Sequence, residues 1–185
     1  MAELILVRHP PVTQAWQKTC YARSDPGLSR AGQALIAPLV EQLAALRPDH
    51  ILHSDMRRSR AVALPLAARL GLVPMAAPQW QERDFGTWEG QSWQSIYRAT
   101  GNAMDGMIDD PECFRPGGGE TTGELVERVR QALDRLPKCG LCMVVAHGGP
   151  IAAARCLVDA AAPAKLADYF IAPGDYVRIG LRAYL

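Results

Sequence analysis

The chain has 185 residues, which is enough for one domain to bury a substantial core without disulfide bonds. Hydrophobic residues make up 49% and charged residues 21%, and the formal net charge of +1 gives no general attraction to nucleic acid or anionic membranes. The first apolar run, residues 4–7, is too short for a signal peptide or a membrane span. We therefore expect a cytoplasmic protein that binds neither nucleic acid nor a membrane.

Five cysteines are scattered along the chain, namely Cys20, Cys113, Cys139, Cys142 and Cys156. An odd number without an export signal indicates reduced thiols and not a disulfide framework. Cys139 and Cys142 form a single CxxC pair, but a zinc or redox role needs a second ligand pair or a thioredoxin-like context. We interpret both cysteines as structural.

In the first half of the chain, short apolar runs alternate with helical patterns, which indicates an α/β fold with a largely parallel sheet. Strands are predicted at residues 3–7, 49–53 and, as a short edge strand, 73–75. Ser29 is predicted to cap a helix that Pro38 kinks. A second helix is predicted over residues 55–70, ending at Gly71.

The pattern loosens between about residues 78 and 119, where one short helix is predicted after Ser92. A segment this long without strong periodicity is usually functional, and we predict that it forms a cap over the sheet. A helix is predicted next at 120–136, capped by Thr121 or Thr122. The remaining predicted elements are a strand at 141–146, a helix at 151–158 and a closing strand at 175–181.

Two histidines directly follow predicted strands. Arg8 and His9 come after the first strand, and His147 comes after the strand at 141–146. Because ligands of open α/β sheets bind outside the carboxyl ends of the strands, we expect these residues to meet at one site. His50 and His53 have no comparable neighbours and are interpreted as bystanders.

Two further segments offer candidate site residues. Arg57 and Arg60 lie three residues apart on one predicted helix face, whereas Arg58 points elsewhere and is a candidate for binding phosphate oxygens. Glu82 and Asp84 open the loosened segment, where a carboxylate beside aromatic residues is a candidate proton donor. Taken alone, this acidic segment favours a turn in a surface loop.

Four segments together resemble the histidine phosphatase superfamily, with its phosphoglycerate-mutase-like fold. They are Leu6-Val7-Arg8-His9, Ser54-Asp55-Met56-Arg57-Arg58, Glu82-Arg83-Asp84-Phe85-Gly86-Thr87-Trp88-Glu89-Gly90 and Val145-Ala146-His147-Gly148-Gly149. They occur in the order and at the spacing of the family, over essentially the whole chain. The resemblance implies a three-layer α/β/α sandwich, a single domain over residues 1–185 with a cap insertion at about 78–119.

The resemblance also implies roles for individual residues. His9 matches the histidine that becomes phosphorylated, while Arg8, Arg58, His147 and Gly148 match the phosphate pocket. Glu82 matches the general acid of the larger branch, which contains mutases and sugar-phosphate phosphatases, and Asp84 is the alternative acid. No metal or cofactor is implied.

The chain departs from the family pattern in the first loop, where Pro10 replaces a glycine and removes a backbone N–H group. Pro11-Val12 replaces a common Glu-Thr, and Ala61-Val62 replaces Gln-Thr in the second motif. The stretch Cys20-Tyr21-Ala22-Arg23-Ser24-Asp25 looks like one found in bacterial alpha-ribazole phosphatase-like members, which act late in cobalamin synthesis.

The sequence therefore predicts a metal-independent hydrolase of a small-molecule phosphomonoester, acting through a phosphohistidine, with alpha-ribazole 5'-phosphate as a candidate substrate. A phosphoglycerate-type mutase is the first alternative. A mutase usually has a longer chain with a C-terminal tail, whereas this sequence stops at Leu185, so we prefer a phosphatase. The second is a non-catalytic phosphate-binding protein on the same fold. The cap argues against a phosphohistidine-protein phosphatase, and a homodimer through the apolar cap and closing strand is a further hypothesis.

Overall fold

A computed structural model describes residues 3–181. Its central sheet has the strand order β3-β2-β4-β1-β5. The strands are β1 (Glu3–Arg8), β2 (His50–His53), β3 (Met75–Ala76), β4 (Leu141–Ala146) and β5 (Tyr176–Gly180). All neighbouring pairs are parallel except β1 and β5, which are antiparallel. The predicted mostly parallel sheet is confirmed.

Within residues 3–181, seven α-helices connect these strands. They are α1 (Arg30–Ala34), α2 (Ile36–Ala45), α3 (Arg57–Leu70), α4 (Trp93–Thr100), α5 (Gly106–Asp109), α6 (Thr122–Asp134) and α7 (Gly148–Val158). Short 3₁₀ helices lie at Gln14–Trp16, Pro78–Trp80, Gly86–Trp88, Gly101–Asp105, Pro116–Gly118 and Pro163–Tyr169. In the part of the chain that the structure describes, no helix is long and apolar enough to cross a membrane.

Alternate residues of β1 belong to two different cores. Leu4 and Leu6 pack with residues of α6 and α7, whereas Ile5 and Val7 pack with residues of α2 and α3. Helices on both faces of the sheet explain why its central strands are continuous apolar runs. Fully burying one such side chain contributes about 1.5–3 kcal/mol. The predicted three-layer α/β/α sandwich is thus confirmed.

The ends of the helices follow the local chemistry of the sequence. The Ser29 hydroxyl accepts a hydrogen bond from the Gly32 amide, and Thr121 forms a capping box with Glu124. Pro38 cannot donate to the carbonyl of residue 34, and the helix is interrupted between α1 and α2 at that level. The left-handed Gly71 ends α3 as predicted.

The main differences from the predicted elements concern where they begin. The edge strand is Met75–Ala76, two residues later than its predicted start, and Val73 is 86% exposed. Helix α3 begins at Arg57, and α7 already begins at Gly148. The glycine-rich start of α7 gave no helical pattern in the sequence, since glycine and proline disfavour helices in general.

The segment predicted to form a cap, residues 78–119 and called the cap below, contributes to a small third core. Trp88 and Ile96 are buried there against Cys20 from the loop after β1. Its helix α4 begins after Ser92 as predicted, but the cap also contains α5 and several 3₁₀ turns. Gly117 packs so closely on the Gly86 turn that a Cβ atom would lie 2.3 Å from the Phe85 carbonyl oxygen. This contact fixes the base of the cap.

Candidate active site

His9 is held at the carboxyl end of β1 in one tautomer. Its side chain is buried, and Nδ1 lies 2.8 Å from the Pro10 carbonyl oxygen, so Nδ1 carries the proton and donates it. Burial and the positive charges of Arg58 and Arg8 lower the pKa of His9 to about 3, against a smaller opposing effect of the Pro10 carbonyl. At neutral pH the ring is therefore uncharged, with a lone pair on Nε2.

Arg58, the second residue of α3, bridges the two histidines from a buried position. Its Nε–H group lies 3.3 Å from His9 Nε2 and 3.2 Å from His147 Nδ1. Its Nη atoms donate to the Ala22 and Ser24 carbonyl oxygens at 2.6 and 3.0 Å. The guanidinium is thus fixed in position before any substrate arrives.

A carboxylate and an aromatic ring complete the surroundings of Arg58. Arg58 Nη1 lies 3.3 Å from Asp25 Oδ1, and the same carboxylate accepts hydrogen bonds from the Arg57 amide at the start of α3. The Arg58 guanidinium carbon is 5.1 Å from the centre of the Tyr21 ring. Arg57 and Arg60 are exposed, in agreement with the helix-face argument.

His147 follows β4 and lies beside His9, with 5.1 Å between the ring centres. Its Nδ1 accepts from Arg58, and its Nε2 lies 2.6 Å from Ser54 Oγ, which donates onward to Ser59 Oγ at 2.9 Å. Complete burial and the nearby Arg58 charge hold the pKa of His147 well below 6.5. Without a bound anion, burial and the neighbouring Arg58 therefore favour the neutral ring of His147.

The topology explains why these side chains meet. β1, β4 and β2 are neighbours in the sheet, with Arg8 paired to Ala146 and His53 paired to Val145. The residues that follow these three strands, His9, His147 and Ser54, therefore stand side by side at one edge. Helices α3 and α7 start directly above them.

Arg8 and Gly148 lie at the margin of this cluster. Arg8 Nη1 donates to the Ile171 carbonyl oxygen at 2.6 Å, while its buried Nε has no hydrogen-bond partner in the structure. A Cβ atom at Gly148 would come within 3.1 Å of the Arg8 guanidinium carbon and 2.9 Å of the Phe170 ring. Glycine at 148 therefore leaves room for the Arg8 guanidinium at the beginning of α7.

Glu82 reaches the same region from the cap. Gly149 N–H donates to Glu82 Oε1 at 3.1 Å, and a Cβ atom at Gly149 would lie 2.4 Å from that oxygen. Asp84 is oriented differently, since its carboxylate pairs with Arg23 at 3.2 Å and accepts from the Gly86 amide. The structure thus brings Glu82, and not Asp84, to the residues that follow the strands.

The segment that carries Glu82 is tied to α6. Arg128 forms a two-pronged ion pair with Glu120, at 2.7 and 2.8 Å, and donates to the carbonyl oxygens of Gln79 and Gln81. Both side chains of the pair are mostly buried. These contacts fix the backbone immediately before Glu82.

A cavity of about 500 Å³ extends from Arg8, Tyr21 and Glu82 into the cap. Its wall is largely apolar and includes residues from the cap and from the segment after α7. Apolar lining residues are Phe85, Trp93, Met104, Met107, Ile108, Leu125, Leu166 and Phe170. This volume suits a small organic ligand.

Several contact residues were not identified from the sequence. Tyr21, Ser54 and Ser59 surround Arg58 and His147, although Tyr21 and Ser54 lie inside motifs that the sequence analysis quoted. The sequence signal for this pair was two serines five positions apart, Ser54 and Ser59, at a strand–helix junction. His53 is buried with Nδ1 beside the Ser54 carbonyl, and His50 lies at the far end of β2. Among residues 3–181 no cluster of histidine, cysteine or acidic side chains could hold a metal ion.

Two neutral histidines and two arginines at the carboxyl ends of parallel strands form an anion site suited to a phosphoryl group. Residues 4–184 match the family description "Histidine phosphatase superfamily (branch 1)". The chain therefore belongs to this superfamily, and it is an enzyme of the phosphatase class.

Individual relatives are similar to the chain over most of its length. Phosphoglycerate mutase-like protein 4 of Arabidopsis thaliana is 27% identical over 168 residues, which are 88% of this chain and 72% of the relative. A mycobacterial glucosyl-3-phosphoglycerate phosphatase superposes with a TM-score of 0.87 at 24% identity, covering 96% of this chain and 92% of its own. The alpha-ribazole phosphatase of Shigella flexneri gives a TM-score of 0.84 at 19% identity, covering 96% and 90%. The two structural likenesses establish the fold.

Proposed function

We propose that the protein hydrolyses a small-molecule phosphomonoester through a phosphohistidine formed on His9. The observation that carries this proposal is the fixed, neutral ring of His9, whose Nδ1 proton is donated to the Pro10 carbonyl and whose Nε2 lone pair faces Arg58. A histidine nucleophile must be uncharged to attack phosphorus.

In the first step, His9 Nε2 attacks phosphorus in line while the bond from phosphorus to the leaving oxygen breaks. The attacking ring becomes positively charged as the new bond forms. Its Nδ1–H group remains bound to the Pro10 carbonyl, which stabilises this charge. Pro10 removes a backbone donor relative to the family pattern, but its carbonyl provides the acceptor that this tautomer needs.

Arg8 and Arg58 attract the dianion and stabilise the non-bridging oxygens during transfer. The negative charge of the substrate raises the pKa of His147, because an adjacent opposite charge favours the protonated ring. His147 then donates to a phosphoryl oxygen from Nδ1 while Nε2–H stays bound to Ser54. In this proposal, His147 becomes a cation only when phosphate is bound.

Glu82 donates a proton to the leaving oxygen, and the alcohol departs. A water molecule then attacks the phosphohistidine, gives its proton to Glu82, and the bond from phosphorus to His9 breaks. Inorganic phosphate leaves, and both side chains return to their starting states. The position of Glu82 between Gly149 and the cavity supports this role.

The candidate substrate named by the sequence resemblance is alpha-ribazole 5'-phosphate, which would place the reaction in cobalamin synthesis in the cytoplasm. The apolar cavity wall supports an aromatic leaving group of this size. The mutase alternative is supported by the similarity to phosphoglycerate mutase-like protein 4 of Arabidopsis thaliana. A mutase would convert phosphoglycerate isomers without releasing phosphate.

The proposal is tested by phosphate release from p-nitrophenyl phosphate in EDTA at about pH 6, near the second pKa of a phosphate monoester. We expect wild type to be active and His9→Ala to lose at least about 10³-fold in kcat. His50→Ala, on the same sheet but outside the site, is the matched control and should retain activity. Activity that survives in His9→Ala would contradict the mechanism, and vanadate binding without any turnover would favour the non-catalytic alternative.

A further inference from the structure

Arg83 is a buried cation that no described group neutralises. It is 5% exposed and lines the cavity beneath the cap. Its Nη1 donates to the Met107 sulfur at 2.9 Å, while Nε and Nη2 are buried without a hydrogen-bond partner among residues 3–181. A thioether sulfur is a weak acceptor, so the guanidinium has no strong acceptor among these residues.

The two carboxylates whose charges raise the pKa of Arg83 are already engaged by other groups. Glu120 is held by Arg128, and Glu82 accepts from the amides of Gly149 and Arg83 itself. Burial lowers the pKa of Arg83, and the charges of Glu120 and Glu82 only partly oppose this effect. An arginine remains charged in a protein, so a buried and unpaired one is costly unless a partner arrives.

The two unused donors are on the same edge of the guanidinium. Nε–H and the adjacent Nη2–H point in parallel, which is the arrangement that binds two oxygens of one carboxylate or phosphate. The other sides are covered by the Met107 sulfur and the Phe85 ring, whose centre lies 5.8 Å from the guanidinium carbon. Arg8 lines the same cavity, and in the proposed function it binds the phosphate.

We propose that Arg83 is a specificity residue that binds a second anionic group, a carboxylate or a phosphate, on the leaving part of the substrate. The scissile phosphate lies near Arg8 and His9, and the second anion reaches the Nε–Nη2 edge of Arg83 after the groups that bury this edge move aside. This proposal rests on the proposed phosphomonoester hydrolase. Alpha-ribazole 5'-phosphate has a neutral leaving group and would leave Arg83 unpaired, so it ranks below phosphomonoesters that carry a distal anion.

Pairs of substrates that differ only in charge test this inference. We would compare kcat/KM for 4-carboxyphenyl phosphate with that for 4-carbamoylphenyl phosphate, and the same pair with 3-substitution. 1,4-Phenylene bisphosphate against phenyl phosphate distinguishes a phosphate from a carboxylate partner. For at least one pair, wild type should prefer the anionic member by about 10- to 100-fold, as expected for charge-assisted hydrogen bonds, and mainly through KM.

The variants separate substrate binding from packing. Arg83→Met should reduce the preference to near unity, whereas Arg83→Lys should retain part of it. Arg98→Met removes the same charge from an exposed cap position and should keep the wild-type ratio. Because Arg83→Met removes an unpaired buried charge, its thermal unfolding temperature without substrate should not fall.

Two results would overturn the inference. One is a charge preference near unity in wild type for every pair, and the other is a preference that persists unchanged in Arg83→Met. If no compound releases phosphate, the proposed hydrolase fails, and calorimetric affinities of wild type for the same pairs decide the role of Arg83. Equal affinities for the anionic and neutral members would then contradict it.

Discussion

Two buried arginines differ in how completely they are paired. Arg58 contacts two carbonyl oxygens, two histidines and the Asp25 carboxylate, and we call its surroundings with Arg8, His9 and His147 the fixed end. Arg83 lines the cavity and has one sulfur acceptor and one aromatic ring, and we call its surroundings the unpaired end. The first cation is fixed by the protein itself, whereas the second has no anion at hydrogen-bond distance among residues 3–181.

This difference indicates two different tasks. A group that must act identically in every turnover benefits from being fixed before the substrate binds, because no reorganisation is then needed in the transition state. A group that selects among leaving groups must keep donors unused until the substrate supplies acceptors. We therefore expect the fixed end to govern the catalytic rate and the unpaired end to govern selection among leaving groups.

The largest effect is expected at the fixed end. Arg58→Met should lower kcat for p-nitrophenyl phosphate by about 10³-fold, because it removes the charge beside both histidines. Steady-state kinetics at saturating substrate measures this change. The substrate charge preference assigned to Arg83 should remain in whatever activity is left.

Two further variants protect this interpretation. Arg57→Met removes the neighbouring exposed arginine and should leave kcat within about twofold of wild type, as surface changes usually do. Arg58→Lys retains the charge but loses the fork, and it guards against misfolding of the methionine variant. Equal losses in the Arg57 and Arg58 variants would show that general surface charge, and not position, matters.

The residues of the fixed end could be predicted from the sequence for a physical reason. Arg8 ends the first apolar strand, His9 and His147 directly follow strands, and parallel strands place their carboxyl ends at one edge of the sheet. The fold class followed from the same alternation of strands and helices. The neutral state of His147 could not be predicted, because it depends on how completely the surrounding segments exclude water.

The burial and the missing partners of Arg83 at the unpaired end could not be predicted in the same way. Arg83 lies in a quoted motif, but nothing in its sequence neighbours indicates that it is buried or that its guanidinium donates to the sulfur of Met107, 24 residues later. The cap has weak periodicity and short turns, so its contacts depend on tertiary packing. Tyr21 was likewise assigned only to a substrate motif, whereas the structure places it against Arg58.

An intermediate effect is expected for the proton donor, and it depends on the leaving group. Glu82→Gln should lower kcat/KM for an alkyl phosphate by about 10²-fold, since an alkoxide needs a proton to leave. The loss should be much smaller with p-nitrophenyl phosphate, whose leaving group departs without one. Measuring both substrates side by side therefore separates acid catalysis from damage to the pocket.

Asp84→Asn provides the comparison within the same segment. Asp84 pairs with Arg23 and caps the Gly86 turn, so its loss should affect stability more than the leaving-group dependence. If Asp84→Asn showed the alkyl-specific loss and Glu82→Gln did not, the assignment of Glu82 would be wrong.

The smallest effect concerns stability, and it follows from the buried, neutral His9. Its pKa is lowered to about 3 in the folded protein from 6.5, so between these values the unfolded chain binds a proton that the folded protein does not. The free energy of unfolding is therefore highest above pH 6.5 and falls as the pH is lowered toward 3, with His9 alone accounting for about 2 kcal/mol by about pH 5. His9→Asn, whose amide can still donate to the Pro10 carbonyl, should flatten this fall in urea titrations, whereas His50→Asn controls for loss of a histidine elsewhere. If the His9→Asn protein lost stability with falling pH as steeply as wild type, His9 would not be the neutral, solvent-excluded ring that the fixed end requires.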